Sequence, residues 1–338
     1  MMKVAVNGFG RIGRTAFKVA VDKHTDSIEI VAINDLMTPA TLAHLLKYDS
    51  VYGVYHKEVK ADERNLIVDE KKYPITAEKD PANLPWKIFG VDLVIESTGR
   101  FTASNTAGGH IKAGAKKVVI SAPSDDVPTH ILGVNPYDGK AEIINNGSCT
   151  TNCVGPVTAV IHGEFGILKA FMTTVHAYTA EQNLVDGPPP PLHADLRRAR
   201  AAAVNIVPTT TGAAVAVAKS FPEVVGKFDG AALRVPVVAG SVSDFTFLVS
   251  KKTNVDEVNK TFREAVNNPI YKGILAVIED PIVSADILGR SESAIVDLPS
   301  TKVVDGDLVR VLAWYDNEWG YANRLVEQVI EVGKSISS

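Results

Sequence analysis

The most pointed chemistry in this chain lies in one stretch, Asn146-Gly147-Ser148-Cys149-Thr150-Thr151-Asn152-Cys153. It joins an apolar run ending in Ile143-Ile144 to a helical pattern that continues through His162. A thiol at a helix start meets unpaired backbone N–H groups and the positive end of the macrodipole, so Cys149 is expected to have a lowered pKa. Ser148 is the expected N-cap, with Cys149 in the first turn. The competing reading is that both cysteines are small buried hydrophobes, as most free cysteines are. Cys153, one turn further in, is read that way. A nucleophilic thiol needs a base, and of the eight histidines His176 stands out. It ends a strand-like run between Thr174 and Thr179 rather than sitting in a charged surface segment.

A second constellation opens the chain. The apolar run Val4-Ala5-Val6 leads at once into Gly8-Phe9-Gly10-Arg11-Ile12-Gly13 and then a helical pattern through Val21. Strand, GxGxxG and helix in that order mark a dinucleotide site. Gly8 permits the tight turn, Gly10 lets the backbone approach a pyrophosphate, and Gly13 lets the helix pack close to the strand. The next strand, Glu29 to Ile33, ends in Asn34-Asp35, about 20 residues beyond the glycines, where an acidic side chain binds the adenosine ribose. A carboxylate there repels a 2′-phosphate and so favours NAD over NADP. The alternative is that Asp35 only caps the helix starting near Pro39. A thiol beside a nicotinamide suits aldehyde oxidation, because an aldehyde can lose hydride only after a nucleophile has made its carbon tetrahedral.

The elements that must position these groups follow from the chain's patterning. Its 338 residues suggest two domains, and 46% hydrophobic with 22% charged residues describes an ordinary soluble globular protein. A net charge of −4 gives no support to nucleic-acid binding. Two cysteines make no disulfide framework, and a reducing, cytoplasmic setting fits. No signal peptide, membrane span or metal site is expected. Helices at Thr41–Lys47 and Ala103–Ala113 alternate with strands at Asp92–Ile95 and Lys117–Ser121. That alternation predicts a Rossmann-type, doubly wound parallel sheet. Gly8, Asp35, Thr98, Ser121 and Cys149 all fall at strand ends, where such sheets bind ligands, which is expected to bring the thiol next to the dinucleotide. Beyond Cys153 the pattern changes to long strands, Lys169–Thr179, Ala231–Val238, Ser241–Val249 and Leu308–Tyr315. A small-residue helix opens at Pro208–Gly212, another spans Val255–Val266, and Trp319–Lys334 is amphipathic. Successive strands without crossover helices predict an α+β domain with a mixed, largely antiparallel sheet. The expected division is residues 1–148 for the dinucleotide, 149–318 for catalysis, and 319–338 as a terminal helix packing back on the first domain.

Nearly end to end, the chain resembles phosphorylating glyceraldehyde-3-phosphate dehydrogenases. The resemblance rests on Val6 to Arg14, Ile33 to Asp35, Lys47 to Ser50, Ser97 to Phe101, Ser121 to Pro123, Ser148 to Cys153 and Thr174 to Thr179. It continues through Leu196 to Ala203, Thr210 to Ala214, Arg234 to Pro236 and Trp314 to Tyr321. It implies an NAD-dependent enzyme of glycolysis or gluconeogenesis that converts D-glyceraldehyde 3-phosphate and inorganic phosphate to 1,3-bisphosphoglycerate. Cys149 would form a thiohemiacetal and then a thioester. His176 would generate the thiolate, act as base for hydride transfer and hydrogen-bond the oxyanion, with the Cys149 N–H as the second donor. Thr179 and Arg234 would hold the substrate phosphate. Ser148, Thr150, Arg198, Thr211 and Gly212 would hold the attacking phosphate. The cofactor set is Gly8, Phe9, Gly10, Arg11, Ile12, Gly13, Asn34, Asp35, Lys79, Thr98, Gly99 and Ser121, with Asn317 on the nicotinamide carboxamide. A homotetramer in the cytoplasm is implied.

Three positions depart from the family pattern. Asp186–Asp195 is longer than usual and carries Pro188-Pro189-Pro190-Pro191, which stiffens a loop that in the family approaches a neighbouring subunit. Gly147 stands where alanine is usual, and Lys79 where arginine is common. The sequence leaves two other readings open: a paralogue acting on erythrose 4-phosphate, and a non-catalytic NAD-binding regulatory protein. Intact Cys149, His176, Arg198 and Arg234 count against the second.

Overall fold

The computed structural model describes residues 1–189 and 195–336. Val4, Ala5 and Val6 are all fully buried, as consecutive apolar residues must be in a strand covered on both faces. They form the centre of β1 (Met2–Asn7). The chain continues through α1 (Arg11–Lys23), β2 (Ile28–Asn34), α2 (Pro39–Lys47) and a small hairpin, β3 (Tyr48–Asp49) with β4 (Gly53–Val54). Then come β5 (Val59–Ala61), β6 (Asn65–Val68), β7 (Lys71–Thr76), α3 (Trp86–Phe89), β8 (Leu93–Glu96), α4 (Ser104–Lys112), β9 (Lys117–Ile120) and β10 (Ile143–Asn145). The sheet order is β10-β9-β8-β1-β2-β7-β6-β5. From β10 to β7 neighbouring strands are parallel, and only the β6 and β5 edge is antiparallel. The strand order reverses at β1, which is the switch point of a doubly wound sheet.

The second compact unit holds α5 (Cys149–Phe165), β11 (Ile167–Ala177), β12 (Val207–Thr210), α6 (Ala213–Ser220), β13 (Phe228–Val235), β14 (Ser241–Val249) and α7 (Val255–Ala265). Then follow β15 (Leu275–Ile278), β16 (Ala294–Asp297), β17 (Lys302–Val304), β18 (Leu308–Tyr315) and the start of α8 (Trp319–Lys334). Its sheet runs β12-β13-β11-β14-β18-β16-β15 and is mixed: β11 pairs parallel with β13 but antiparallel with β14. The sequence reading placed a helix start at Pro208; instead Val207–Thr210 is an edge strand, and α6 begins only at Ala213. It also passed over β15 and β16, whose four-residue lengths leave too little periodicity to read.

Contacts divide the chain at Gly147/Ser148 and again at Tyr321/Ala322, with the residues from Ala322 onward belonging to the first unit. Within that unit Lys23 Nζ donates to Asn323 Oδ1 at 3.0 Å, tying α8 to α1. Ile131–Asn135 belongs to the second unit although it lies inside the first 148 residues. Ile131 is fully buried in the core around α5, and Gly155 supplies the space: a Cβ there would meet Val134 Cγ2 at 3.0 Å.

Candidate active site

Ser148 caps α5. Its hydroxyl accepts from the Thr151 N–H at 3.0 Å, and the Thr151 hydroxyl accepts from the Ser148 N–H at 3.2 Å, a reciprocal capping box. The cap sets Cys149 as the first helical residue. Along β11 the residues Met172, Thr174 and His176 alternate onto the buried face, which is the strand period. His176 thereby meets the helix start: its Nε2 lies 3.3 Å from the Cys149 Sγ. The other ring nitrogen, Nδ1, lies 2.6 Å from the Ala177 carbonyl oxygen. A carbonyl can only accept, so Nδ1 carries the hydrogen and Nε2 presents a lone pair to the thiol.

The electrostatics differ from the lowered thiol pKa expected at a helix start. Burial pushes the Cys149 thiol up, opposed by the Arg234 guanidinium, the Thr150 hydroxyl and the N–H groups of Thr150 and Cys149 itself. The two N–H groups are the predicted helix-start donors; desolvation outweighs them and the side chains together. Burial, reinforced by Arg234, pushes His176 down to about 3. Charging either group alone is therefore unfavourable. Moving one proton across the 3.3 Å contact charges both together, and the opposed charges recover part of the desolvation cost. Cys153 is fully buried with its thiol pushed up by burial, the packed role expected of it.

Two arginines flank this pair. Arg234 is the cross-strand partner of His176 in the parallel β11–β13 register, so their side chains share one face. Its Nη1 donates to the Thr179 hydroxyl at 2.8 Å. Arg198, 7% exposed, donates from Nε to the Thr209 hydroxyl at 2.9 Å and from Nη1 to Glu181 at 2.5 Å. Glu181 also lies 3.8 Å from Arg234. Sequence reasoning passed over Glu181 and Thr209; the run Thr209-Thr210-Thr211 was the available signal for the latter. Thr211 is not among the hydrogen-bond partners of Arg198 in the described residues. Its hydroxyl accepts from the Ala213 N–H at 3.2 Å, and Gly212 is the N-cap of α6. The Thr150 hydroxyl is buried 3.0 Å from Tyr315 Oη, which also meets Thr174 at 2.7 Å. Tyr315, edge-on to the His176 ring at 6.0 Å, is a further residue the sequence did not single out. Asn317 Oδ1 accepts from the Gly240 N–H at 3.0 Å and the Ser241 hydroxyl at 3.1 Å, which leaves its Nδ2 amide as the donor end.

The first unit carries a cleft of about 550 Å³, lined by Asn7, Gly8, Gly10, Asn34, Asp35, Lys79, Ser97 and Thr98 among others. Gly8 has φ +91°, and a Cβ there would sit 2.7 Å from the Thr98 nitrogen. Gly13 is tighter still, since its Cβ would lie 2.0 Å from the Gly8 carbonyl oxygen. Gly10 is the N-cap of α1 with open space around it, a backbone a diphosphate can approach. Asp35 accepts from the Phe9 N–H at 2.8 Å and the Met37 N–H at 3.0 Å; Thr38, not Asp35, caps α2. These features fit a dinucleotide. Not every expected side chain faces the cleft. The Phe9 ring is buried edge-on against Phe17, and the Arg11 guanidinium pairs with Asp49 at 2.8 Å. Ile12, Gly99 and Ser121 lie outside the cleft lining, and Lys79 is exposed at its rim. Of the proline run, Pro188 is fixed through its carbonyl by Asn183 Nδ2 at 2.9 Å, and Pro190 and Pro191 lie outside the described residues.

Residues 2–104 match the glyceraldehyde 3-phosphate dehydrogenase NAD binding domain, and residues 148–317 match the glyceraldehyde 3-phosphate dehydrogenase C-terminal domain. Glyceraldehyde-3-phosphate dehydrogenase of Mycolicibacterium smegmatis is 52% identical over 345 residues, covering 99% of both chains. That of Borreliella burgdorferi is 50% identical over 335 residues, covering 96% of this chain and 98% of the relative.

Proposed function

The chain belongs to the glyceraldehyde 3-phosphate dehydrogenase family, and on that premise we propose that Cys149, His176, Arg234 and Arg198 are the working parts of its reaction. That reaction is the NAD-dependent oxidative phosphorylation of D-glyceraldehyde 3-phosphate to 1,3-bisphosphoglycerate. The observation that carries the assignment is the thiol–imidazole contact at 3.3 Å, with the imidazole tautomer held by the Ala177 carbonyl. The sulfur attacks the aldehyde carbon while its proton moves to Nε2 and on to the new alkoxide, giving a thiohemiacetal. Nε2 then takes the hydroxyl proton back as the carbon gives up hydride, leaving a thioester on Cys149. NAD, when bound, supplies the hydride acceptor; Gly8, Gly10 and Asp35 would hold its diphosphate and ribose, and the Asn317 amide its carboxamide. A phosphate oxygen attacks the thioester carbonyl. The acyl–sulfur bond breaks, and the imidazolium returns its proton to the departing thiolate.

Two anions must be held during this sequence. The Arg234–Thr179 pair suits the substrate phosphate. Arg198, with Ser148, Thr150, Thr211 and Gly212, suits the attacking phosphate, because a guanidinium fork makes paired charge-assisted bonds. Thr209 orients that fork. Glu181 is the carboxylate counter-charge beside both guanidinia. An aldehyde ending in a phosphate is the substrate class these charges select, and a phosphate acceptor separates this reading from a paralogue that releases a free acid.

A homotetramer acting in the cytoplasm is the assembly and setting we propose. Support comes from a series of exposed apolar residues in the second unit, Leu184, Val185, Leu196, Val204 and Ile206, of the kind that subunit contacts cover. Among the described residues no helix is long and apolar enough to cross a membrane. The test of the catalytic assignment is to mix enzyme, aldehyde and NAD without phosphate and map the acyl adduct by mass spectrometry. An adduct on Cys149 is expected; one on Cys153, or none while NADH forms, would overturn it.

A further inference from the structure

A chain of side-chain hydrogen bonds, half-buried at Thr76 and buried beyond it, runs along the carboxyl ends of four neighbouring strands in the first unit. Thr76, Asn34, Asn7 and Glu96 are the last residues of β7, β2, β1 and β8. Thr76 Oγ1 donates to Asn34 Oδ1 at 2.9 Å, and Asn34 Nδ2 donates to Asn7 Oδ1 at 2.7 Å. Asn7 Nδ2 donates to Glu96 Oε2 at 2.5 Å. The chain ends on two bulky residues: His110 Nε2 lies 2.9 Å from Glu96 Oε2, and Trp86 Nε1 donates to His110 Nδ1 at 2.9 Å. Glu96 is 1% exposed and His110 0%.

The polarity of this chain is determined throughout. An indole N–H can only donate, so His110 Nδ1 is the acceptor and its ring hydrogen sits on Nε2, pointing at Glu96. The Asn7 amide donates to the same oxygen. The other oxygen, Oε1, accepts the Thr98 N–H at 2.8 Å and the Thr98 hydroxyl. Glu96 thus accepts four hydrogen bonds on two oxygens, which is how a carboxylate with so little exposure to water is stabilised. An amide in its place has one acceptor oxygen, so at least one pair of donors would face its NH₂ group.

The members at the open side of this chain are also walls of the dinucleotide cleft: Asn7, Asn34 and Thr98 all line it. Ser97, beside Glu96, donates to the Gly8 carbonyl at 2.7 Å, so the loop after β8 is pinned to the glycine loop after β1. We propose that Glu96, oriented by His110 and Trp86, is a positioning residue for NAD: it sets the spacing of the loops after β1, β2 and β8 without touching the cofactor. A half-satisfied network would let those loops separate, whereas full satisfaction holds them in one arrangement. The proposal rests on reading this cleft as the NAD site. The wild-type protein's own NAD affinity tests that reading, and only the difference between variants tests the network.

The experiment compares Glu96→Gln, His110→Phe and His110→Gln in the full chain. NAD binding is measured by calorimetry, the KM values for NAD and phosphate by steady-state assay, and Cys149 alkylation by iodoacetamide in the cofactor-free protein. Glu96→Gln and His110→Phe are expected to weaken NAD binding at least ten-fold, with the phosphate KM and the alkylation rate within two-fold of wild type. His110→Gln, which keeps a donor and an acceptor, is expected to stay within three-fold for NAD. NAD affinity unchanged in His110→Phe would overturn the proposal. So would a parallel loss of phosphate affinity and thiol reactivity, which marks a general fold defect. If Glu96→Gln does not fold, the contrast between the two His110 variants decides the question alone.

Discussion

At the level of single residues, the site turns on which nitrogen of His176 faces the sulfur. The Ala177 carbonyl answers that, and burial, reinforced by the neighbouring guanidinia, keeps the ring from charging alone. A thiol pushed up by burial ionises readily only when its proton has somewhere to go, and the Nε2 lone pair is that place. Replacing His176 with Asn removes it. The pH midpoint for iodoacetamide alkylation of Cys149 is expected to rise, because burial then acts on the thiol unopposed by a proton acceptor. A midpoint equal to wild type would show that His176 does not govern the thiol. The same substitution should lower kcat by about 10²–10⁴, the range of a general base. At this scale the thiol and the base were legible as candidates from residue type and placement, and the two arginines through the family resemblance. Glu181, Thr209 and Tyr315 were not, because their roles are contacts made across sequence separations that no local pattern encodes.

At the level of elements, the capping box at α5 is a stabilising device and also sets the direction of the nucleophile. Ser148→Ala removes one of its two bonds and should cost about 1 kcal/mol, read as a Tm lower by about 2–4 °C. An unchanged Tm would mean the Thr151 half of the box suffices. Gly13 tests the other helix start. A methyl group there meets the Gly8 backbone at 2.0 Å, which no side-chain rotation can relieve. Gly13→Ala is therefore expected to weaken NAD binding by more than ten-fold, as measured by calorimetry, while NAD affinity within two-fold of wild type would contradict the close packing described. The elements of the first unit were readable because helices of nine to thirteen residues, α1, α2 and α4, alternate with strands whose centres are apolar. The error at Pro208 has a plain cause: small residues and threonines before a helix look like a cap, yet Val207 and Thr209 are buried alternately with Pro208 and Thr210, the period of a strand. The lowered thiol pKa was a similar case, in which the helix-start donors were correctly foreseen and the depth of burial was invisible.

At the level of the whole molecule, the two fold classes were legible from a change in rhythm near Cys153, whereas the placement of Ile131–Asn135 in the second unit was not. Its cause is a space left by a glycine in α5, which only the assembled core reveals. The apolar side chains from Leu184 to Ile206 predict association. Analytical ultracentrifugation is expected to give four times the 36.2 kDa chain mass, and a monomer at micromolar concentration would contradict the tetramer. One reaction is central to the whole molecule, the release of a thioester on Cys149 by phosphate. Its most direct test is the steady-state rate of NADH formation from glyceraldehyde 3-phosphate, with and without phosphate, run with NAD and NADP in parallel. The account predicts turnover that requires phosphate, favours NAD, and falls by at least about 10³ in Cys149→Ser. Undiminished turnover without phosphate or arsenate, or in Cys149→Ser, would contradict it.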